Sequence, residues 1–108
     1  GLDVLQNAVI GGNAELVRLL ISQYHANVES SDNIGRRPIH HACLTGHLEV
    51  FEALIELGAN FNVVDKWDNW TALHYAAKEN RLAIVKRLVE LGSDYRLKDK
   101  NGRAPMDL

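Results

Sequence analysis

Four residues in a stretch of eight carry side chains that bind transition metals: His40, His41, Cys43 and His47. Cys43 and His47 stand one helical turn apart, a spacing at which thiolate and imidazole can share zinc. A structural zinc site needs four converging ligands, however, and Gly46 falls between Cys43 and His47, where it ends the helix that would align them. A structural role and no bound metal are expected. Asp and His recur together, as Asp32/His40 and Asp65/His74. Recurrence of a pair along the chain marks architecture rather than one active centre. There is no nucleophile elbow, phosphate loop or His-Glu-x-x-His motif. No catalytic residue and no cofactor are therefore expected. Trp67 and Trp70 offer other chemistry: large amphipathic rings of the kind that anchor interfaces.

The elements that position these residues follow from a duplication. GRRPIHHACLTGHLEVFEALIELGAN, from Gly35, returns 34 residues later as NWTALHYAAKENRLAIVKRLVELGSD, from Asn69. Leu5, Ile39, Leu73 and Met106 form one column, and Gly12, Gly46 and Asn80 another. A fixed period of this length predicts a stacked repeat. The single domain, 1–108, divides into units 2–31, 32–64, 65–98 and the start of a fourth, 99–108. Each unit reads as helix, turn, helix and extended loop. In the second unit Pro38 suits the first helical position. Ile39, Ala42 and Cys43 share one face, and Gly46 stops the helix. Leu48, Phe51, Leu54 and Ile55 give the next helix its apolar stripe. Ala8, Ala42, Ala76 and Ala77 permit close stacking of the first helices.

The chain resembles the ankyrin repeat family. DNIGRRPIHHAC, GHLEV and LIELGAN in the second unit, with TALHYAA and LVELGSD in the third, carry the resemblance; GGNAELVRLLI and DKNGRAPMDL match more loosely. It implies an all-α solenoid of antiparallel helix pairs joined by β-hairpin-like loops, and makes His40 and His47 ordinary members of the pattern. Departures stand out. Arg37 replaces the usual threonine, removing a hydroxyl cap worth about 1 kcal/mol, whereas Thr71 and Asp3 keep caps. Asn69 replaces the loop glycine in DKWDNW, a loop one residue longer than its counterpart. The first unit carries an extra residue near Tyr24 and His25. Val4, Leu5, Val9 and Ile10 are not the polar cap a solenoid end requires, and Met106-Asp107-Leu108 reaches one turn into a next helix, so a piece of a longer array is expected.

The resemblance further implies a protein partner on the concave face made by loop tips and first helices. At the tips these are Asn33, Ile34 and Arg36; then Lys66, Trp67, Asp68 and Trp70; then Lys100, Asn101 and Arg103. From the first helices come Ile10, His41, Leu44, Thr45, Tyr75, Lys78 and Glu79. Trp67 and Trp70 are the expected anchors, with the basic residues steering. Asn62, eight residues after Leu54, resembles the asparagine that such repeats offer to an asparaginyl hydroxylase.

Bulk properties agree with a binding module. Net charge is −2, divided as −5 over residues 1–65 and +3 over 66–108. Nucleic acid is not expected as a partner, because that requires a far more basic domain. No apolar run approaches a membrane span of about 20 residues. A lone cysteine fits an intracellular, reducing compartment, cytoplasmic or nuclear. The expected molecule is a monomer that docks a protein or peptide segment. A recruiting or regulatory arm of a larger enzyme or channel, and a passive spacer, are the alternatives.

Overall fold

The computed structural model describes residues 2–108. Six α-helices occur in pairs: α1 (Val4–Ile10) with α2 (Ala14–Ser22), α3 (Pro38–Thr45) with α4 (Leu48–Glu56), and α5 (Ala72–Lys78) with α6 (Leu82–Glu90). A 3₁₀ turn, Pro105–Asp107, follows. First helices stack as one layer, α1 on α3 on α5 on the 3₁₀ turn; second helices stack as another, α2 on α4 on α6. The result is a short solenoid of 39 × 27 × 20 Å.

One column of the duplicated sequence lies in the core over three units, while its fourth member, Met106, is exposed. Leu5, Ile39 and Leu73 are fully buried, as are Ala42 and Ala76 between the first helices. In the second layer Phe51, Leu54, Ile84 and Leu88 are sealed from solvent. The apolar stripe of α4 differs in one member. Leu48, in the helix's first turn, is exposed, and Val50 occupies the interior. Leu5 and Val9 likewise point inward, leaving Val4 outside.

Helix ends follow local chemistry. Asp3 Oδ1 accepts the N–H of Gln6 at 2.8 Å, and Thr71 Oγ1 that of His74 at 3.2 Å. Arg37 makes no such bond, so α3 starts without a side-chain cap. Gly12, Gly46 and Asn80 all adopt positive φ after the first helices, at 76°, 80° and 57°. This column turns the chain sharply where α-carbon substituents are disfavoured. The next unit packs against it: a side chain on Gly12 would meet the His47 ring, and one on Gly46 the Arg81 side chain. His47 Nε2 lies 3.1 Å from Ile10 O and Arg81 donates to Leu44 O at 3.1 Å, each serving a helix-terminal carbonyl of the preceding unit. The extra residue of the first unit is absorbed at His25, whose φ is 57°.

No strand occurs among the described residues. The loops are nonetheless closed fingers. Asp32 N–H donates to Arg36 O, Asp65 to Trp70 O and Asp99 to Arg103 O, each at 2.9 Å. Neighbouring fingers are joined sideways by Lys66 N–H to Ile34 O at 2.8 Å and Lys100 N–H to Asp68 O at 3.0 Å.

Candidate interaction surface

Three aspartates organise the fingers. Asp32 accepts the N–H groups of Ile34 and Arg36, the Arg36 guanidinium at 2.8 Å, and His41 Nε2 at 3.2 Å. Asp65 accepts the N–H groups of Trp67, Asp68 and Trp70 and the phenol of Tyr75 at 2.5 Å. Asp99 accepts the N–H groups of Asn101 and Arg103, the Arg103 guanidinium at 3.1 Å and the Trp70 indole at 2.8 Å. Tyr75 thus does on Asp65 what His41 does on Asp32. Trp70 occupies the place of Arg36 but turns forward to the next unit's aspartate.

The electrostatics follow. Burial alone would raise the Asp32 carboxyl, but the Arg36 N–H and guanidinium and the Ile34 N–H hold it below its ordinary range. Against the same effect of burial, the Arg103 N–H and the Trp70 indole hold Asp99 down to about 2. Burial first, then Asp65, pushes the Tyr75 phenol above its ordinary range. His40 and His41 are lowered chiefly by burial, which favours the neutral form of each. His40 Nδ1 accepts the Arg37 N–H at 2.9 Å, so its Nε2 carries the proton and donates to Val63 O at 3.0 Å. Gln6 does the same from the first unit, donating to Ser30 O at 3.1 Å. His74 reaches Arg103 O at 2.9 Å. Cys43 is buried, with its thiol pushed above the ordinary range by burial. His40, His41 and His47 therefore turn toward three different partners, Val63 O, Asp32 and Ile10 O.

These bonds redistribute the expected partner-binding residues. Trp70 is interior, 8% exposed, stacked on His74 at 5.8 Å and edge-on to Tyr75 at 5.2 Å. Tyr75, His41 and Asp68 are also buried. Asp68 is held by Asn101 Nδ2 at 3.2 Å and by the Arg103 guanidinium at 3.2 Å. Burial within the finger network rules out a free Trp70 anchor and corrects that expectation. Trp70 shares a column with Arg36 and Arg103, residues that bind a finger aspartate. Trp67 is the opposite case, 64% exposed at the finger tip. Lys66, Lys78, Glu79, Lys100, Asn101 and Arg103 are exposed, and Ile34, Arg36, Leu44 and Thr45 half-buried.

The inner face carries two clefts. One, of about 300 Å³, lies over units one and two between Leu2, Ile10, Ile34 and Leu44, with Thr45 and His41 on its wall. The other, of about 400 Å³, lies over units three and four between Trp67, the edge of Trp70, Lys78 and Arg103. Asn62 sits away from both on an exposed loop. Its N–H donates to Asn60 Oδ1 at 2.9 Å, so Asn60 makes the local turn and the Asn62 side chain does not. Leu54 is fully buried.

Paired helices, fingers tied side by side and two surface clefts over a hydrogen-bonded polar interior define a repeat solenoid built to present a surface. The chain belongs to the ankyrin repeat family: a model of that family, ankyrin repeats in three copies, matches residues 5–101. Repeats of this kind mediate protein–protein interaction. The chain is similar to human protein phosphatase 1 regulatory subunit 27, 42% identical over 56% of this chain and 38% of that protein. It is 38% identical to human scaffold protein ILK over 54% of this chain and 13% of the other. It is also 33% identical to mouse inhibitor of Bruton tyrosine kinase over 99% of this chain and 8% of that protein. The chain spans 38% or less of the length of these relatives. Among the described residues no helix is long and apolar enough to cross a membrane.

Proposed function

We propose that this chain docks a partner protein across its concave face and does so without catalysis. Trp67 carries the reading. It is a large aromatic side chain held out at a finger tip, while its neighbour Trp70 is used internally. Tryptophan at the centre of an interface is among the residues whose removal costs most. Ile34, Leu44 and Thr45 extend the surface over the second unit, and Lys66, Lys78, Lys100, Asn101 and Arg103 edge it over the third and fourth. The fingers present these groups side by side, tied by the hydrogen bonds of Lys66 N–H to Ile34 O and Lys100 N–H to Asp68 O.

Trp67→Ala should weaken partner binding by about 2 kcal/mol or more. A photo-crosslinking amino acid placed at Trp67 should capture the partner, and one placed at the exposed Ala83 of α6 should not. Capture from Ala83 alone would move the interface to the outer face and end this reading. In a longer protein the same surface would serve as a recruiting or regulatory arm; the regulatory and scaffold names among the relatives support that role. We also propose Asn62 as a hydroxylation site. Because Leu54 is buried, an enzyme reading both residues would meet them in a locally unfolded chain. Peptide mass analysis of native protein showing only unmodified Asn62 removes that assignment.

A further inference from the structure

The arginines and lysines of this chain are used differently. Arg18, Arg36, Arg37, Arg87, Arg96 and Arg103 each form an ion pair with a carboxylate. Arg81 is committed to Leu44 O. All five lysines lie between positions 66 and 100 and all are exposed. None forms an ion pair among the described residues. Three of them, Lys66, Lys78 and Lys100, stand at the finger tips and first helix around Trp67. The Lys100 ammonium sits 3.1 Å from Lys66 O, bringing two of the three to one tip. The buried acids nearby have internal partners: Asp68 and Asp99 share the Arg103 guanidinium, and Asp65 accepts four hydrogen bonds. The first 65 residues, by contrast, carry −5.

We infer that the partner segment over units three and four is acidic, its carboxylates meeting Lys66, Lys78 and Lys100 while an apolar side chain covers Trp67. The inference rests on the docking reading above and specifies the chemistry of what docks. Charge complementarity also sets the direction. The lysines draw the acidic end over units three and four, and the cleft of Leu2, Ile10, Ile34 and Leu44 over the first two units takes the apolar part. Rim charges act mainly on encounter rate, orientation and salt dependence, with Trp67 as the packed contact. Nucleic acid and anionic membranes are poorer fits, because the chain as a whole is net negative and its acidic half would face them.

The test is selection of a random peptide library on the chain, followed by affinity measurements. The variants are Trp67→Ala, the triple Lys66→Glu/Lys78→Glu/Lys100→Glu, and Lys86→Glu as an outer control, each checked for native circular dichroism. Selected peptides should be rich in Asp and Glu around an apolar residue and bind less tightly as salt rises. They should lose tenfold or more in affinity to the triple variant and little to Lys86→Glu. Peptides that lose affinity to Trp67→Ala but are neutral or basic, or ignore the triple variant, overturn this inference and leave the docking reading standing. Peptides that ignore both Trp67→Ala and the triple variant, or no enrichment at all, overturn both. Lysine-dependent sedimentation of the chain with phosphatidylserine vesicles, without an acidic peptide consensus, overturns the inference in favour of a membrane surface.

Discussion

The indole N–H of Trp70 donates to Asp99 at 2.8 Å, joining two fingers whose residues lie 29 apart in the chain. The bond gives the carboxylate of unit four a donor from unit three, and it holds most of Trp70 in the interior. Trp70 and Trp67, three residues apart, therefore answer to different measurements.

Trp70→Ala should cost about 3–5 kcal/mol of stability, the range for removing a buried aromatic side chain. Trp67→Ala should change stability by no more than about 0.5 kcal/mol, as for other surface positions. Urea denaturation of the two variants checks this. Equal losses would mean that Trp67 also packs internally and would weaken its claim as an anchor. Trp70→Phe keeps much of the ring and removes the donor, so its loss should be smaller than that of Trp70→Ala.

Stability should fall on acidification in two stages. His40 and His41 are held below the ordinary histidine value by burial. The unfolded chain takes up their protons as pH falls through about 6.5, and the folded chain resists. Their contribution is complete above that value and is lost as pH falls toward the folded values. Asp32 and Asp99 act in the same direction at lower pH. Their contribution is complete above about 4. That of Asp99 is lost as pH falls through about 2. His40→Gln should reduce the slope of stability between about pH 7 and about pH 5. The fold already accepts glutamine there, since Gln6 holds the equivalent loop carbonyl in unit one. An unchanged slope would assign the proton uptake to other groups.

Much of this was legible in the duplicated sequence because repetition reports the core: Leu5, Ile39 and Leu73 are buried for one shared reason. The glycine-to-asparagine substitutions at positions 69 and 80 also read directly as left-handed turns, and both adopt φ of 57°. Trp70 was less legible. The longer third loop puts it five residues after Asp65 rather than four, and the shifted position lets the indole reach forward to Asp99. Loop length alone does not say where such a side chain turns; the neighbouring unit's carboxylate decides it. Tyr75 and His41 are buried for a related reason. Helical position placed them on the inner face, but each is drawn down onto its finger aspartate.

Gly35 should be far less tolerant than Gly58. Both have positive φ, 83° and 94°, so alanine at either incurs a left-handed penalty of about 1 kcal/mol. At Gly58 a Cβ would meet nothing within 4 Å. At Gly35 it would lie 2.7 Å from the Lys66 backbone nitrogen. That nitrogen donates the bond that ties the two fingers. Gly35→Ala should therefore lose clearly more stability than Gly58→Ala and should also weaken peptide binding, because Lys66 and Trp67 are displaced together. Equal stability losses would show that the fingers slide freely.

Arg37→Thr should stabilise the chain. Thr71 shows what is missing at α3: its hydroxyl accepts the His74 N–H, whereas Arg37 offers no acceptor to His40. Restoring that cap is worth about 1 kcal/mol. Against it stands the Arg37–Glu29 ion pair at 3.3 Å, whose partners are 35% and 26% exposed, so its contribution is about 0.5 kcal/mol. The cap wins, and a net gain of about 0.5 kcal/mol is expected from the difference between these two contributions. Glu29→Gln removes the ion pair while keeping an acceptor for the Asn60 N–H, which Glu29 Oε2 holds at 2.7 Å. In that background Arg37→Thr should show the whole cap, about 1 kcal/mol. A gain in neither background would mean that threonine at position 37 does not reach the His40 N–H, and that Arg37 stabilises the start of α3 by packing its aliphatic stem.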